Sequence, residues 1–208
     1  MIISDYDMFM RVFLALFFTG IAGFYTIRIV TLKPKIRRLY LGRIGSSHWL
    51  GHVTFRFFRL VIWWTCVARV FYPSIDKFLL TCSYLINPFI NIAGALLMIL
   101  GFVLALRGHF ELGQHWRSGI DEDQPMPLVT TKLYSKSRNP MYIGVLMGQF
   151  GFFLALPSVF TFICLIVGIT AILNQVRLEE QHFRKNFPEA YAEYQRRVPR
   201  WFFKLNRA

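Results

Sequence analysis

Long apolar runs separated by short basic segments constrain the fold of this chain more than any other feature. A bilayer core about 30 Å thick needs roughly 20 apolar residues in a helix, and residues 8–30, 55–72 and 85–106 form runs of about that length. A fourth run, residues 141–173, exceeds one crossing and has Pro157 and Ser158 at its centre. Because proline breaks a helix interior, this run predicts a tight helical hairpin. We therefore expect an all-α, polytopic integral membrane protein with about five transmembrane helices.

The composition agrees with a membrane protein and argues against a nucleic-acid partner. Of 208 residues, 55% are hydrophobic and 17% aromatic, which is more than a soluble domain needs for its core. The formal charge is +13, but Lys and Arg concentrate between the apolar runs rather than along one stripe. The three cysteines have no ligand spacing, and His109 and His115 are poorly spaced for a helix to present both, so no metal site is expected.

Basic residues in short loops predict the orientation. Residues 31–47 carry Lys and Arg but no acidic residue, so they should be cytoplasmic, with the N-terminus outside. By alternation, residues 107–140 and the C-terminus are also cytoplasmic. We divide the chain into a membrane anchor, residues 1–100, and a cytoplasm-facing catalytic half, residues 101–208. This half comprises the loop 107–140, the hairpin 141–173 and a tail, residues 177–200.

The tail has aromatic and basic residues at helical spacing. This pattern predicts an amphipathic helix that rests on membrane lipids of the cytoplasmic leaflet and helps to close a site above the hairpin.

The first candidate for chemistry lies where the polar loop enters the hairpin. Asn139 followed by Pro140 marks a helix start, since Asn favours the cap position and Pro the first helical position. The unpaired N–H groups and positive dipole end of such a helix can bind a carboxylate or phosphate. A helix cap without a ligand is the simpler alternative.

The second candidate follows the other arm of the hairpin. Arg177, Glu179 and Glu180 are charged residues beside an apolar bilayer, where they are costly unless paired or functional. Arg177 and Glu180 are three apart and share a helix face, so an interfacial ion pair is the simpler alternative. Because the hairpin is short, this cluster should face the first candidate and form one cleft with it.

These residues, in this order, resemble the isoprenylcysteine carboxyl methyltransferase family and the related phospholipid methyltransferases. The resemblance covers roughly residues 101–201. It rests on the following segments: Leu128-Val129-Thr130, Leu133-Tyr134, Arg138-Asn139-Pro140-Met141-Tyr142-Ile143-Gly144, Arg177-Leu178-Glu179-Glu180, Tyr191, Tyr194 and Val198-Pro199.

The resemblance implies an S-adenosylmethionine site and a role for each motif residue. The helix start would hold the cofactor through Arg138, Asn139, Pro140, Tyr142 and Gly144, together with Glu179 and Glu180. Arg177 would orient a substrate carboxylate, and Arg177 and Glu180 would be catalytic. Gln114 and His115 are further cofactor candidates, with a solvated loop as the alternative. The family usually has His where this chain has Asn139, and Asn does not titrate near neutral pH.

The implied function is methyl transfer from S-adenosylmethionine to a lipophilic substrate that enters from the bilayer. Carboxyl O-methylation of an isoprenylcysteine-like acceptor is the first hypothesis, and N-methylation of a phospholipid or other lipid amine is the second. Amine methylation should fall off at low pH, because a protonated amine has no free electron pair. A membrane reductase using a nicotinamide cofactor and a non-enzymatic membrane scaffold are the further alternatives.

Overall fold

Six α-helices make up most of the described chain. The structure is a computed structural model, and it describes residues 5–31, 44–113, 116 and 126–202. The helices are α1 (Asp5–Thr31), α2 (Ser47–Phe71), α3 (Pro88–Leu112), α4 (Pro140–Ala155), α5 (Val159–Asn186) and α6 (Pro188–Arg197). Short 3-10 segments lie at Pro73–Phe78, Ser83–Leu85 and Lys132–Ser135. The expected all-α class is confirmed.

Three of the described helices are long and apolar enough to cross a membrane, namely α1, α3 and α5. α4 is apolar but has 16 residues, so at 1.5 Å per residue it reaches only about 24 Å. α2 has 25 residues, about 37 Å by the same rise. It carries three arginines, however, and is not apolar enough to count as a membrane span by composition. The structure therefore confirms a multi-helix membrane architecture, while the number of five spans stays a prediction.

The predicted hairpin is present and turns where the sequence indicates. α4 ends at Ala155, and α5 begins at Val159 after Leu156, Pro157 and Ser158. The Ser158 side chain caps α5 in a capping box with Thr161. α5 continues to Asn186, well beyond the predicted end of the hairpin at residue 173. Arg177, Glu179 and Glu180 therefore lie on the same helix as the second arm.

A seam of glycines brings α3 and α4 close together. Gly94, Gly101 and Gly108 are seven residues apart on α3 and so share one face. A Cβ on Gly101 would lie 2.5 Å from the carbonyl oxygen of Gly144, and one on Gly151 would lie 2.6 Å from that of Gly94. Such approach is possible only without side chains. The Gly148 backbone N lies 2.6 Å from a Cβ built on Gly101, but a Cβ on Gly148 itself has no atom within 4 Å.

α3 begins at the predicted proline but ends later than predicted. Pro88 is the first helical residue, and the Asn87 side chain accepts a hydrogen bond from the Phe89 backbone N–H. The helix passes Leu106 and ends at Leu112, so Arg107, His109 and Glu111 belong to it. The hydropathy of the run marks the apolar part of the helix, while backbone hydrogen bonding carries it a further turn and a half.

Arg69, an arginine within the predicted second span, is held inside the protein. Arg11 of α1 and Arg69 of α2 are both buried and both bind Asp76. The Arg69 Nε lies 2.5 Å from Asp76 Oδ1, and Arg11 also donates to the Arg69 carbonyl oxygen at 3.0 Å. A carboxylate within reach offsets the cost of burying the two arginine charges.

The tail forms the end of α5 and the separate helix α6 rather than one continuous helix. Pro188 starts α6 after Phe187. α6 is amphipathic as predicted: Tyr191 and Tyr194 are buried, whereas Glu193 and Arg196 are exposed. Its buried face packs on Leu128, Phe183 and Phe187. α6 thus packs on the protein itself, while its resting on the cytoplasmic leaflet stays a prediction.

Candidate functional site

A cavity of about 810 Å³ lies between the helices, and its lining changes from polar to apolar. The polar end lies where α3 ends and α4 begins, and there Tyr134, Arg138, Tyr142, Gln175 and Glu179 face the space. The apolar end lies among the aromatic and aliphatic side chains of the spanning helices. Among these are Phe17, Phe18, Ile62, Met98, Phe102 and Phe152. The volume falls in the range of small-molecule sites, about 300–1,000 Å³.

The start of α4 forms one wall of the polar end. Asn139 occupies the N-cap position and Pro140 the first helical position, as predicted, but the Asn139 side chain makes no capping hydrogen bond. Its amide donates instead to the Arg200 carbonyl oxygen at 3.2 Å. The first N–H groups of a helix have no helical partner, and here no side chain caps them. The positive end of the helix dipole therefore stays available for an anion.

Glu179 faces the cavity and is held by two donors. The Tyr142 hydroxyl donates to Glu179 Oε1 at 2.5 Å, and the Gln175 amide donates to the same oxygen at 2.8 Å. No described residue donates to the other oxygen, Oε2. The start of α4 and the far part of α5 are thus joined through Tyr142 and Glu179, as the hairpin geometry predicted. This leaves a positioned carboxylate oxygen free to meet a cation.

Glu180 points away from the cavity into a cluster of arginines. Its side chain is 4% exposed. Arg138 donates from Nη2 at 3.0 Å, Arg200 donates to both carboxylate oxygens, and Arg184 lies at 3.7 Å. The hydrogen bond with Glu180 raises the pKa of Arg200 above its usual range. Arg138 also donates to the Val198 carbonyl oxygen at 2.6 Å. Glu180 therefore fixes Arg138, which does line the cavity.

Three tyrosines close the polar end beneath the tail. The Tyr194 hydroxyl donates to the Tyr134 carbonyl oxygen at 2.5 Å, and the Tyr134 hydroxyl donates to the Gly108 carbonyl oxygen at 3.4 Å. Burial, and after it the nearby Glu179, raises the pKa of Tyr134 well above its usual range. Burial and then Glu180 raise the pKa of Tyr191 to about 12. These phenols are therefore protonated donors at neutral pH.

The structure brings most of the candidate site residues together, but not all. Arg138, Asn139, Tyr142, Gly144 and Glu179 line the cavity. Pro140 is buried beside it, and Gly144 also packs on Gly101 and Ala105 of α3. Gln114 and His115 lie outside the described residues.

Arg177 lies apart from this group. It is exposed on α5, is not part of the cavity lining and makes no ion pair with a described residue. The Arg177–Glu180 ion pair, the simpler alternative that the sequence offered, is not formed, and Glu180 pairs with Arg138 and Arg200 instead.

Some residues that build the site were missed from the sequence. Gln175 was detectable, because it lies four residues before Glu179 on the same helix face. Glu111 accepts from the Leu133 backbone N–H at 2.9 Å, and Arg28 donates to His109 Nε2 at 3.1 Å and to the Gly113 carbonyl oxygen at 2.9 Å. These contacts fix the end of α3 against its surroundings. They join residues far apart in the chain, so no local sequence pattern predicts them.

Comparison with known protein families gives a match over part of the chain. Residues 89–190 match the family model for phospholipid methyltransferase. The matched part runs from the first turn of α3 to the start of α6, so it contains Tyr142, Glu179 and Glu180 but neither α1 nor α2. No curated protein and no solved structure matches the chain. The family match supports a membrane methyltransferase that acts on lipids.

Proposed function

We propose that this chain is an integral membrane methyltransferase that transfers a methyl group from S-adenosylmethionine to a lipid. The observation that carries the proposal is that one cavity has both a polar and an apolar end. Its polar end holds a free carboxylate oxygen beside an uncapped helix start, and its apolar end lies between membrane helices. The polar end suits a soluble cationic cofactor, and the apolar end suits the chains of a lipid acceptor. The family match over residues 89–190 supports the same reaction.

The residues at the polar end fit S-adenosylmethionine. This cofactor supplies a methyl group on a positively charged sulfur, and it also carries an ammonium and a carboxylate. Glu179 offers the unshared oxygen Oε2 to a positive group, with Tyr142 and Gln175 fixing its position. The first N–H groups of α4 and the guanidinium of Arg138 suit the carboxylate. Pro140 and Gly144 shape this wall, and Glu180 positions Arg138.

Catalysis then rests on alignment and on exclusion of water. Methyl transfer is an in-line displacement, so holding both reactants in one geometry lowers much of the barrier. α6 and its buried tyrosines cover the polar end. An amine acceptor must also lose a proton, and Glu179 is the only carboxylate in the described cavity lining that could receive it.

Two acceptor classes remain candidates, and we place the phospholipid amine first. The family match is to phospholipid methyltransferases. Arg177, which would orient a carboxylate, lies outside the cavity lining. The isoprenylcysteine-like carboxylate is second, because the order of motifs in the sequence favours it.

Calorimetry of S-adenosylmethionine with the detergent-purified protein tests this function. We expect saturable binding, weakened about tenfold or more by Glu179→Gln, because a charge-assisted contact is lost. Glu189→Gln, an exposed carboxylate of α6, is the matched control and should bind like the wild type. If the folded wild type does not bind, the methyltransferase proposal fails. Binding of a nicotinamide cofactor instead would establish the reductase alternative.

A further inference from the structure

A row of basic side chains on α2 faces the same cavity. His52, Arg56 and Arg59 all line it, and their spacing of four and three residues places them on one side of the helix. α2 lies outside the part of the chain that matches the family model. The roles assigned so far to Glu179, Tyr142 and Arg138 do not use this side of the cavity.

Arg59 is held in place without a carboxylate. Its guanidinium carbon lies 5.0 Å from the ring centroid of Tyr25 and 5.9 Å from that of Phe55. No described Asp or Glu forms an ion pair with it. Stacking on an aromatic face orients the guanidinium plane but leaves its N–H donors directed elsewhere. A fixed guanidinium with unused donors suits an oxyanion, to which it can donate two parallel hydrogen bonds.

The remaining charges of the cavity do not neutralise Arg59. Glu179 is the carboxylate of the described lining, and its Oε1 already accepts from Tyr142 of α4 and Gln175 of α5. Arg138 is matched by Glu180. A charged side chain among membrane helices is costly and typically faces a substrate path. Arg59 therefore has no counter-ion among the residues that the structure describes.

We propose that Arg59, with Arg56 beside it, binds an oxyanion in the head group of the lipid acceptor. The chains of the lipid then occupy the apolar end of the cavity. The amine of a phospholipid then faces Tyr142 and Glu179, whereas the bound carboxylate of a prenylated cysteine is itself the accepting group. This inference rests on the proposed function and narrows its substrate class to lipids that carry a phosphodiester or a carboxylate. Neutral lipids and simple long-chain amines lack the group that Arg59 recognises.

The test combines cofactor binding, lipid binding and methyl transfer in wild type, Arg59→Gln and Arg59→Lys. Arg196→Gln, an exposed arginine of α6, serves as the control. The lipid probes are phosphatidylethanolamine, a prenylated cysteine with a free carboxylate, and sphingosine, which has an amine but no oxyanion. Lipid binding is read as the rise in the thermal midpoint of the detergent-solubilised protein, so it does not depend on turnover.

We expect Arg59→Gln to keep wild-type affinity for S-adenosylmethionine and to lose the thermal shift with the oxyanion lipid. Its KM for that lipid should rise about tenfold or more, because a bidentate charged contact is removed. The KM and the thermal shift of Arg59→Lys should lie between those of wild type and Arg59→Gln. Lysine keeps the positive charge but cannot donate two parallel hydrogen bonds from a planar group. Sphingosine should give a small shift that none of the variants changes. The class of oxyanion is identified by which of the two other probes is bound and methylated.

Several outcomes would overturn the inference while leaving the proposed function intact. One is cofactor binding with an unchanged lipid KM and thermal shift in Arg59→Gln. Another is a loss of cofactor affinity in that variant, which would assign Arg59 to the cofactor instead. A third is a wild type that binds neither oxyanion lipid better than sphingosine. Failure of the wild type to bind S-adenosylmethionine would instead count against the proposed function.

Discussion

At the scale of single residues, two adjacent glutamates have different surroundings. Glu179 faces the cavity and keeps one oxygen free, whereas Glu180 is enclosed by Arg138, Arg184 and Arg200. Successive helical residues point about 100° apart, so neighbours in sequence can serve different spaces. Glu179 is suited to bind a ligand. Glu180 is suited to hold the tail against the start of α4.

Glu180→Gln should therefore destabilise the protein. It removes the charge that compensates two arginines at a buried position, and we expect a loss of about 2 kcal/mol, since Arg200 is itself partly exposed. The matched control is Glu193→Gln, whose partner Arg197 and own side chain are 67% and 58% exposed. An exposed pair of this kind contributes about 0.5 kcal/mol or less. Unfolding of both variants in detergent provides the comparison, and equal losses would contradict this role of Glu180.

The sequence predicts the helix start at Pro140 and the glutamate pair, but not the partner of Glu180. Helical spacing favours Arg177, which is three residues away on the same helix. The structure instead selects Arg138 from the polar loop and Arg200 from the tail. Local spacing gives the pairs that one helix can form, whereas packing decides which of them exist. For the same reason the contact of Arg28 with His109 has no signature in the sequence.

At the scale of elements, α3 and α4 meet backbone to backbone. Glycines of α3 allow this at three places, each about two turns apart. Prolines mark the beginning of both helices, so these starts are predictable from sequence. The seven-residue repeat of glycines on α3 can also be recognised as a packing face once α4 is known to be the partner helix.

Gly101→Ala should destabilise this pair, whereas Gly148→Ala should not. The new Cβ at position 101 meets the backbone of Gly144 and Gly148 at 2.5–2.6 Å, and separating the helices should cost about 2 kcal/mol. The new Cβ at position 148 meets nothing within 4 Å. Alanine has the higher helix propensity, so this control should be neutral or slightly stabilising. Thermal midpoints in the same detergent give the readout, and similar midpoints for the two variants would argue against a tight seam.

At the scale of the whole molecule, the polar end of the cavity lies towards one end of the helices. The end of α1, the start of α2, the end of α3 and the start of α4 all contribute to its lining or closure. The basic residues between the spans predict that this end is cytoplasmic. The opposite end carries the loop between α2 and α3, with Cys82 and the 98% exposed Tyr84.

This orientation predicts the labelling of native cysteines in intact cells. Cys66 and Cys164 are buried and should not react, whereas a membrane-impermeant maleimide should label Cys82 from outside. Because Cys82 is only partly exposed, Tyr84→Cys in a Cys82→Ser background provides a fully exposed reporter on the same loop. The Cys82→Ser variant alone should remain unlabelled. Labelling of Tyr84→Cys only after permeabilisation would show that this loop is cytoplasmic and would contradict the predicted topology.

The bonds from Arg138 to the tail also set an order of events during synthesis. The Val198 carbonyl that receives a hydrogen bond from Arg138 lies 60 residues later in the chain. At about 5–20 residues per second, the ribosome takes roughly 3–12 s to make that stretch. During this interval α4 can be inserted while Arg138 and Asn139 still lack their partners in the tail. The contacts of Arg138 and Asn139 with the tail are therefore among the last of the polar end to form.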